Sequence, residues 1–145
     1  MHAQVKQLDK TYFNPEQGNY LINNYTRSFL QNANTNWSVI QDNDGLIYIG
    51  NSNEGFSTYD GKRITRVMDE NGAPTKGFSR DIVADSKNVL YTSVGWRDFG
   101  TIEKNKFGES IYTSLSKKLP AKEEVSTIVW GLACQNDTVF IQTEN

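Results

Sequence analysis

The 145-residue chain holds one cysteine, Cys134, and one histidine, His2. A lone thiol makes no intrachain disulfide and cannot build a zinc site by itself, so Cys134, which precedes "QNDTVFIQ", is expected to pack inside. His2 sits at a terminus expected to fray. Nucleophile–histidine pairs and histidine-rich metal centres therefore lack parts. A basic excess is missing too. Lys plus Arg number 15 against 17 Asp plus Glu, for a formal charge of -2. Such a balance offers no broad positive surface to a phosphate backbone, and direct nucleic-acid contact is not expected. No apolar run approaches the roughly 18 residues of a membrane-spanning helix, and no basic start leads into an apolar stretch as in a signal peptide. "MHAQ" reads as an initiator Met set before a processed chain. The glycine-rich phosphate loops GxGxxG and GxxxxGK[ST] are absent, and no helix long enough to carry a dinucleotide is evident. No cofactor and no metal are expected.

What is present is a folded composition: 37% hydrophobic and 12% aromatic residues, enough for one domain with a core. Short apolar bursts alternate with turn formers in "WSVIQDNDGLIYIGNSNEGFSTYDGKRI", residues 37–64. Asp and Asn side chains bond to nearby backbone, and Gly accepts positive φ. "DNDG", "NSNEG" and "YDG" thus read as bends between four short strands, an antiparallel meander.

The meander recurs. "SVIQDNDGLIYIGN" aligns with "DIVADSKNVLYTSV" at a shift of 43 residues, matching Asp42 to Asp85 and Tyr48 to Tyr91. A partial copy, "WGLACQNDTVFIQ", follows at a shift of 49, where Leu132 takes the place of Val83 and Phe140 that of Tyr91. Repeats of this length with four strands each are the pattern of propeller blades. The expected fold is all-β, part of a β-propeller of about three four-stranded antiparallel blades, the last incomplete, with Tyr48, Tyr91 and Phe140 as equivalent large side chains between sheets. An ordinary β-sandwich with look-alike hairpins is the alternative. The expected divisions are an N-terminal extension or incomplete blade over 1–36, a blade over 37–78, a second with an insertion over 79–128, and the start of another over 129–145. Too few blades to close a ring implies a fragment, its open edges covered by the rest of its own chain or by a homodimer partner. Pro15 and Gly18 suit a loop, Tyr20, Leu21 and Ile22 a short strand, and "PAKEEVSTIVW" half a helical turn.

Individual motifs favour structure over chemistry. "DNDG" opens like a calcium loop, but position 12 is Asn53 rather than a bidentate Glu, and the flanks are strands. "DFG", Asp98 to Gly100, has none of the companion motifs of a kinase. Asp42, Asp60, Asp85 and Glu109 all stand beside turn formers. Lys117, Lys118 and Lys122 form a basic patch answered at once by Glu123 and Glu124. Trp37 and Trp130 each precede a copy of the repeat, which favours packing. Trp96 and Arg97, in the loop-like "VGWRDFG", are the candidates for ligand contact, because an indole offers a wide apolar face with one donor.

The pieces "QDNDG", "LIYIGN" and "EGFSTYDG" resemble the two-component regulator propeller repeat, found in the N-terminal periplasmic region of Bacteroidetes hybrid two-component sensors and related helix-turn-helix regulators. The likeness covers most of residues 37–143, and the second unit departs from it: "ADSKN" replaces the Asp-Gly turn. It carries over structural positions only: Asp42, Gly45, Tyr48, Gly50, Gly55, Tyr59, Asp60 and Gly61. It implies a periplasmic or extracellular portion of a membrane-anchored sensor that binds an oligosaccharide or other small ligand and signals to a kinase or transcription-regulator module, without catalysis in this segment. Two alternatives stand beside that expectation: a protein–protein interaction scaffold, and a propeller carbohydrate-active enzyme, which would need converging carboxylates or His and Arg groups.

Overall fold

A computed structural model of the chain describes residues 23–30, 35–120 and 128–144. The expectations placed on His2, Pro15, Gly18 and Tyr20 to Ile22, on Lys122, Glu123 and Glu124, and on the half helical turn lie outside the described residues.

The first sheet is an antiparallel meander of β1 (Asn36–Gln41), β2 (Ile47–Asn51), β3 (Phe56–Tyr59) and β4 (Ile64–Arg66). The second has five strands, β5 (Met68–Asp69), β6 (Ile82–Ala84), β7 (Leu90–Val94), β8 (Asp98–Lys104) and β9 (Ser110–Ser114), in the spatial order β5-β9-β8-β7-β6. Strands β6 to β9 are antiparallel neighbours, whereas β5 lies parallel to β9 through Met68–Ile111 and Asp69–Tyr112. A separate hairpin pairs β10 (Val129–Gln135) with β11 (Thr138–Thr143). Residues 23–30 lie over the first sheet, where Tyr25 and Phe29, stacked on each other, meet Tyr59 edge-on with ring centroids 5.2 and 5.8 Å away.

One turn chemistry shapes most of these connections. Asp42 bridges β1 to β2: its Oδ1 accepts the N–H of Asp44 (2.9 Å) and of Leu46 (2.8 Å). Asp85 does the same between β6 and β7 for Lys87 and Val89. Asp69 does so for Asn71 and Ala73, and Asn105, between β8 and β9, for Phe107 and Glu109. The fourth residue of each turn has positive φ: Gly45 at 86°, Gly72 at 76°, Asn88 at 65° and Gly108 at 81°. Asp60 makes a tighter version, accepting from Lys62 and Arg63 with Gly61 between. Gly55 is required for a second reason, since a Cβ there would lie 2.7 Å from the Thr75 carbonyl carbon.

These sheets do not form a propeller. Among the described residues there are three, of four, five and two strands, and none closes into a curled ring of blades. The expected count of four strands per unit fails because β5, just past the first meander, crosses to pair with β9 of the second. The third copy fails in register. Its bend is a two-residue turn, Asn136 and Asp137 at φ 49° and 61°, which is the compact hairpin geometry. Phe140 therefore faces Ala133 instead of Leu132. The three aromatic positions are not equivalent either: Tyr48 is 2% exposed, Tyr91 half-buried, and Phe140 54% exposed.

The core lies between the two larger sheets. Tyr48 and Phe56 of the first, with Val67 beyond it, pack with Ile82, Leu90, Ile102 and Tyr112 of the second. The Tyr48 hydroxyl reaches Ser110 Oγ at 2.9 Å. Beside it, Lys104 Nζ of β8 meets Asp42 Oδ2 at 2.8 Å and the Asp44 carboxylate. The Asp42 side chain is 2% exposed, so this ion pair is buried on its acidic side. Burial pushes the Asp42 carboxyl up, but Lys104 and the N–H groups of Leu46 and Asp44 outweigh it and hold the group below the ordinary value. Burial likewise disfavours the Lys104 ammonium, and the two carboxylates reverse that, raising it.

Two outcomes follow from the turn and the ion pair. Asn88→Gly should raise stability by about 0.5–1 kcal/mol in urea unfolding, because Asn at positive φ carries strain that Gly does not. A loss of stability would show that Asn88 contributes something beyond the turn. Lys104→Met should cost about 1–3 kcal/mol at pH 7, since it strands a buried carboxylate. The depressed Asp42 carboxyl contributes fully above about pH 4 and less as pH falls through its folded value; the raised Lys104 contributes fully below about pH 10. The gap between wild type and Lys104→Met should thus be flat between those limits and shrink below about pH 4. A gap independent of pH would refute the pairing.

Candidate functional site

All three tryptophans converge on one side of the fold, around Arg80. The guanidinium carbon of Arg80 lies 4.1 Å from the Trp37 ring centroid, 4.0 Å from Trp130 and 4.8 Å from Phe78. Trp96 extends the cluster, packing edge-on against Phe78 with centroids 5.5 Å apart. Trp37 and Trp130 are each 42% exposed and Trp96 66%, so the group forms a surface patch.

Local strand irregularities put these rings where they are. In β1, Asn36 pairs with Asn51 and Ser38 with Gly50, which leaves Trp37 as the extra residue of a bulge. In β10, Val129 pairs with Thr143 and Gly131 with Gln142, so Trp130 is the extra residue of a second bulge. A bulge turns a side chain out of the strict alternation of a strand. Trp96 projects from the bend between β7 and β8, after Gly95, whose N–H bonds to the Phe78 carbonyl at 2.9 Å. Arg80 enters just before β6.

The small hairpin is fastened at both ends by carboxylates. Asp81 Oδ2 accepts the Leu132 N–H at 3.0 Å, and Asp137 Oδ1 accepts the Ser86 N–H at 2.9 Å. Val129 and Leu132 of β10 are its buried side chains. The Arg80 guanidinium is the third fastening, since it joins Trp37 of β1 to Trp130 of β10.

Of the candidates taken from the sequence, Trp96 lies in this patch. Arg97 beside it is exposed and makes no hydrogen bond or ion pair among the described residues. The cation inside the cluster is Arg80, which sequence reasoning passed over. A signal was available: Arg80 follows Trp37 by the same 43 residues that separate Tyr48 from Tyr91. The repeat positions Asp42, Gly45, Asp60, Gly61 and Asp85 build turns, and Gly50, Tyr48, Tyr59 and Tyr91 build strands, all outside the patch.

A cavity of about 320 Å³ lies elsewhere, lined by Asp69, Asp98, Tyr112, Lys117 and neighbours. Two of its three carboxylates are already engaged. Asp69 accepts the N–H groups of its own turn, and Asp98 accepts the Ser114 hydroxyl (2.6 Å) and the Ser116 hydroxyl. Burial, and then the Asp98 carboxylate, hold the Tyr112 phenol above its ordinary value. Among the described residues no group of three metal-ligating side chains occurs, and no helix is long and apolar enough to cross a membrane.

Comparison with family models, with curated proteins and with solved structures gave no match. With the three unclosed sheets, this overturns the resemblance to the two-component regulator propeller repeat. The reading of the chain as the ligand-sensing part of a propeller sensor in two-component signal transduction falls with it, as does the Bacteroidetes attribution. The shared "DNDG" and "YDG" pieces are turn chemistry, which any antiparallel meander requires, and this is why they misled.

Trp130→Ala should loosen the hairpin without unfolding the sheets. Amide exchange across β10 and β11 should quicken by about tenfold, the loss of one ring over a cation plus its buried area, while β2 and β7 stay protected. Equal loss of protection everywhere would mean that the hairpin and sheets unfold as one.

Proposed function

We propose that the chain is a protein-contact module and that the Trp37–Arg80–Trp130 patch, with Phe78 and Trp96, is its docking surface. The observation that carries this reading is the gathering of every tryptophan of the chain on one exposed area around an arginine. Tryptophan and arginine are the residue types most enriched where binding energy concentrates in protein interfaces, and large rings held rigid lose little entropy on contact. Leaving three indoles open to water costs solvation free energy that a folded domain ordinarily avoids, and a partner would recover it. The proposal assigns no catalysis to the chain. In support, Asp69 and Asp98 beside the cavity are committed to a turn and to serines.

The test uses a photo-crosslinking phenylalanine derivative placed at Trp96 and, separately, at Phe107 in the turn between β8 and β9. In the native host, the Trp96 probe should give one polypeptide adduct that excess unmodified protein competes away, and the Phe107 probe should give none. Absence of a competable adduct from Trp96, or equal adducts from both positions, would reject the reading.

A further inference from the structure

Arg80 is anomalous among the packed cations of the chain. Lys104 is answered by Asp42 and Asp44, and Arg66 by Glu54. Arg80 is half-buried, yet among the described residues it has no carboxylate and no carbonyl partner. Its Nε is buried with no hydrogen-bond acceptor at all. Three rings surround the guanidinium carbon at 4.0 to 4.8 Å. Rings attract the charge but take none of its five N–H groups, which lie in the guanidinium plane and fit the two oxygens of a carboxylate. The nearest acidic side chain in sequence, Asp81, cannot serve, because its oxygens hold the backbone N–H groups of Ile82 and Leu132.

The remaining neighbours point the same way. Arg97, next to Trp96, adds a second positive charge that has no ion pair among the described residues. Trp96 and Trp130, 66% and 42% exposed, offer apolar surface in the same patch. The patch therefore presents positive charge framed by indole faces, with the acceptor missing.

We infer that the partner segment is an acidic peptide, and that one of its Asp or Glu carboxylates pairs with Arg80 while an adjacent apolar side chain lies on Trp130 and Trp96. This rests on the protein-contact reading and narrows it to a chemistry. Pairing would give the outer N–H groups of Arg80 an acceptor that none of the described residues supplies, so it should show a large effect for a single contact.

A random peptide library displayed on phage and selected on the full chain tests it, with the enriched peptide then titrated against indole fluorescence. Enriched sequences should carry Asp or Glu beside an apolar residue. Arg80→Met, which keeps a stem to fill the space between the rings, should weaken binding by about tenfold or more. Changing the peptide's Glu to Gln should weaken it to a similar extent, and the two changes together should cost little more than either alone. Phe107→Ala should leave binding unchanged. If Arg80→Met disturbs the fold, judged by its amide spectrum, the Glu-to-Gln peptide and loss of affinity on raising salt stand in for it. Enriched peptides without acidic residues, displaced by Trp130→Ser, would sink this inference and leave the docking surface intact. Absence of any enriched peptide, with a neutral glycan binding in its place, would sink both.

Discussion

The fold depends on the burial of Tyr48 between two sheets. Its ring fills the space opposite Leu90 and Ile102, while its hydroxyl must find partners because a buried phenol without them is costly. Ser110 supplies one, and the Asp42 carboxylate stands 3.4 Å away. That carboxylate is itself buried, so it needs Lys104 from the opposite sheet. One aromatic residue thus brings the first turn of one sheet against the third strand-turn of the other. The apolar contact provides most of the stabilisation, and the polar contacts fix the register at which the sheets meet.

The Asp42 carboxylate serves two masters, the local turn through Oδ1 and the distant lysine through Oδ2. Asp85, at the matching place in the second sheet, keeps the local half of that arrangement and meets no lysine among the described residues. A repeated residue can therefore build every unit and still carry a task in one unit alone.

Local chemistry was legible in the amino-acid sequence. "DNDG" and "ADSKN" mark bends, and the strands on either side of them lie where alternation places them. The same five-residue turn at Asp69 and Asn105 is marked by its polar and glycine residues alone, since the apolar residues around it do not repeat. Long-range pairing was not legible. Two residues, Met68 and Asp69, carry no signal that they will lie parallel to Ile111 and Tyr112, and that pairing alone breaks the count of four strands per unit. A single shortened turn at Asn136 shifted the third copy by one residue, enough to place Phe140 in solvent. The patch escaped for a related reason. Trp37 and Trp130 gain their direction from bulges, which insert one residue into a strand and leave no mark in the pattern of side chains.

Strand β5 has a consequence for how the molecule assembles. It is the first part of the second sheet to leave the ribosome, yet β9, its strand partner, is the last of that sheet to be made. Everything from Pro74 to Lys106 must form or wait inside the loop that this contact closes, and closing it costs chain entropy that local hairpins avoid. The strand acts as a latch. The two meanders can form early from local hairpins, and β5 pairs only after β9 is made, tying together the backbones of two sheets that already share the Tyr48 core.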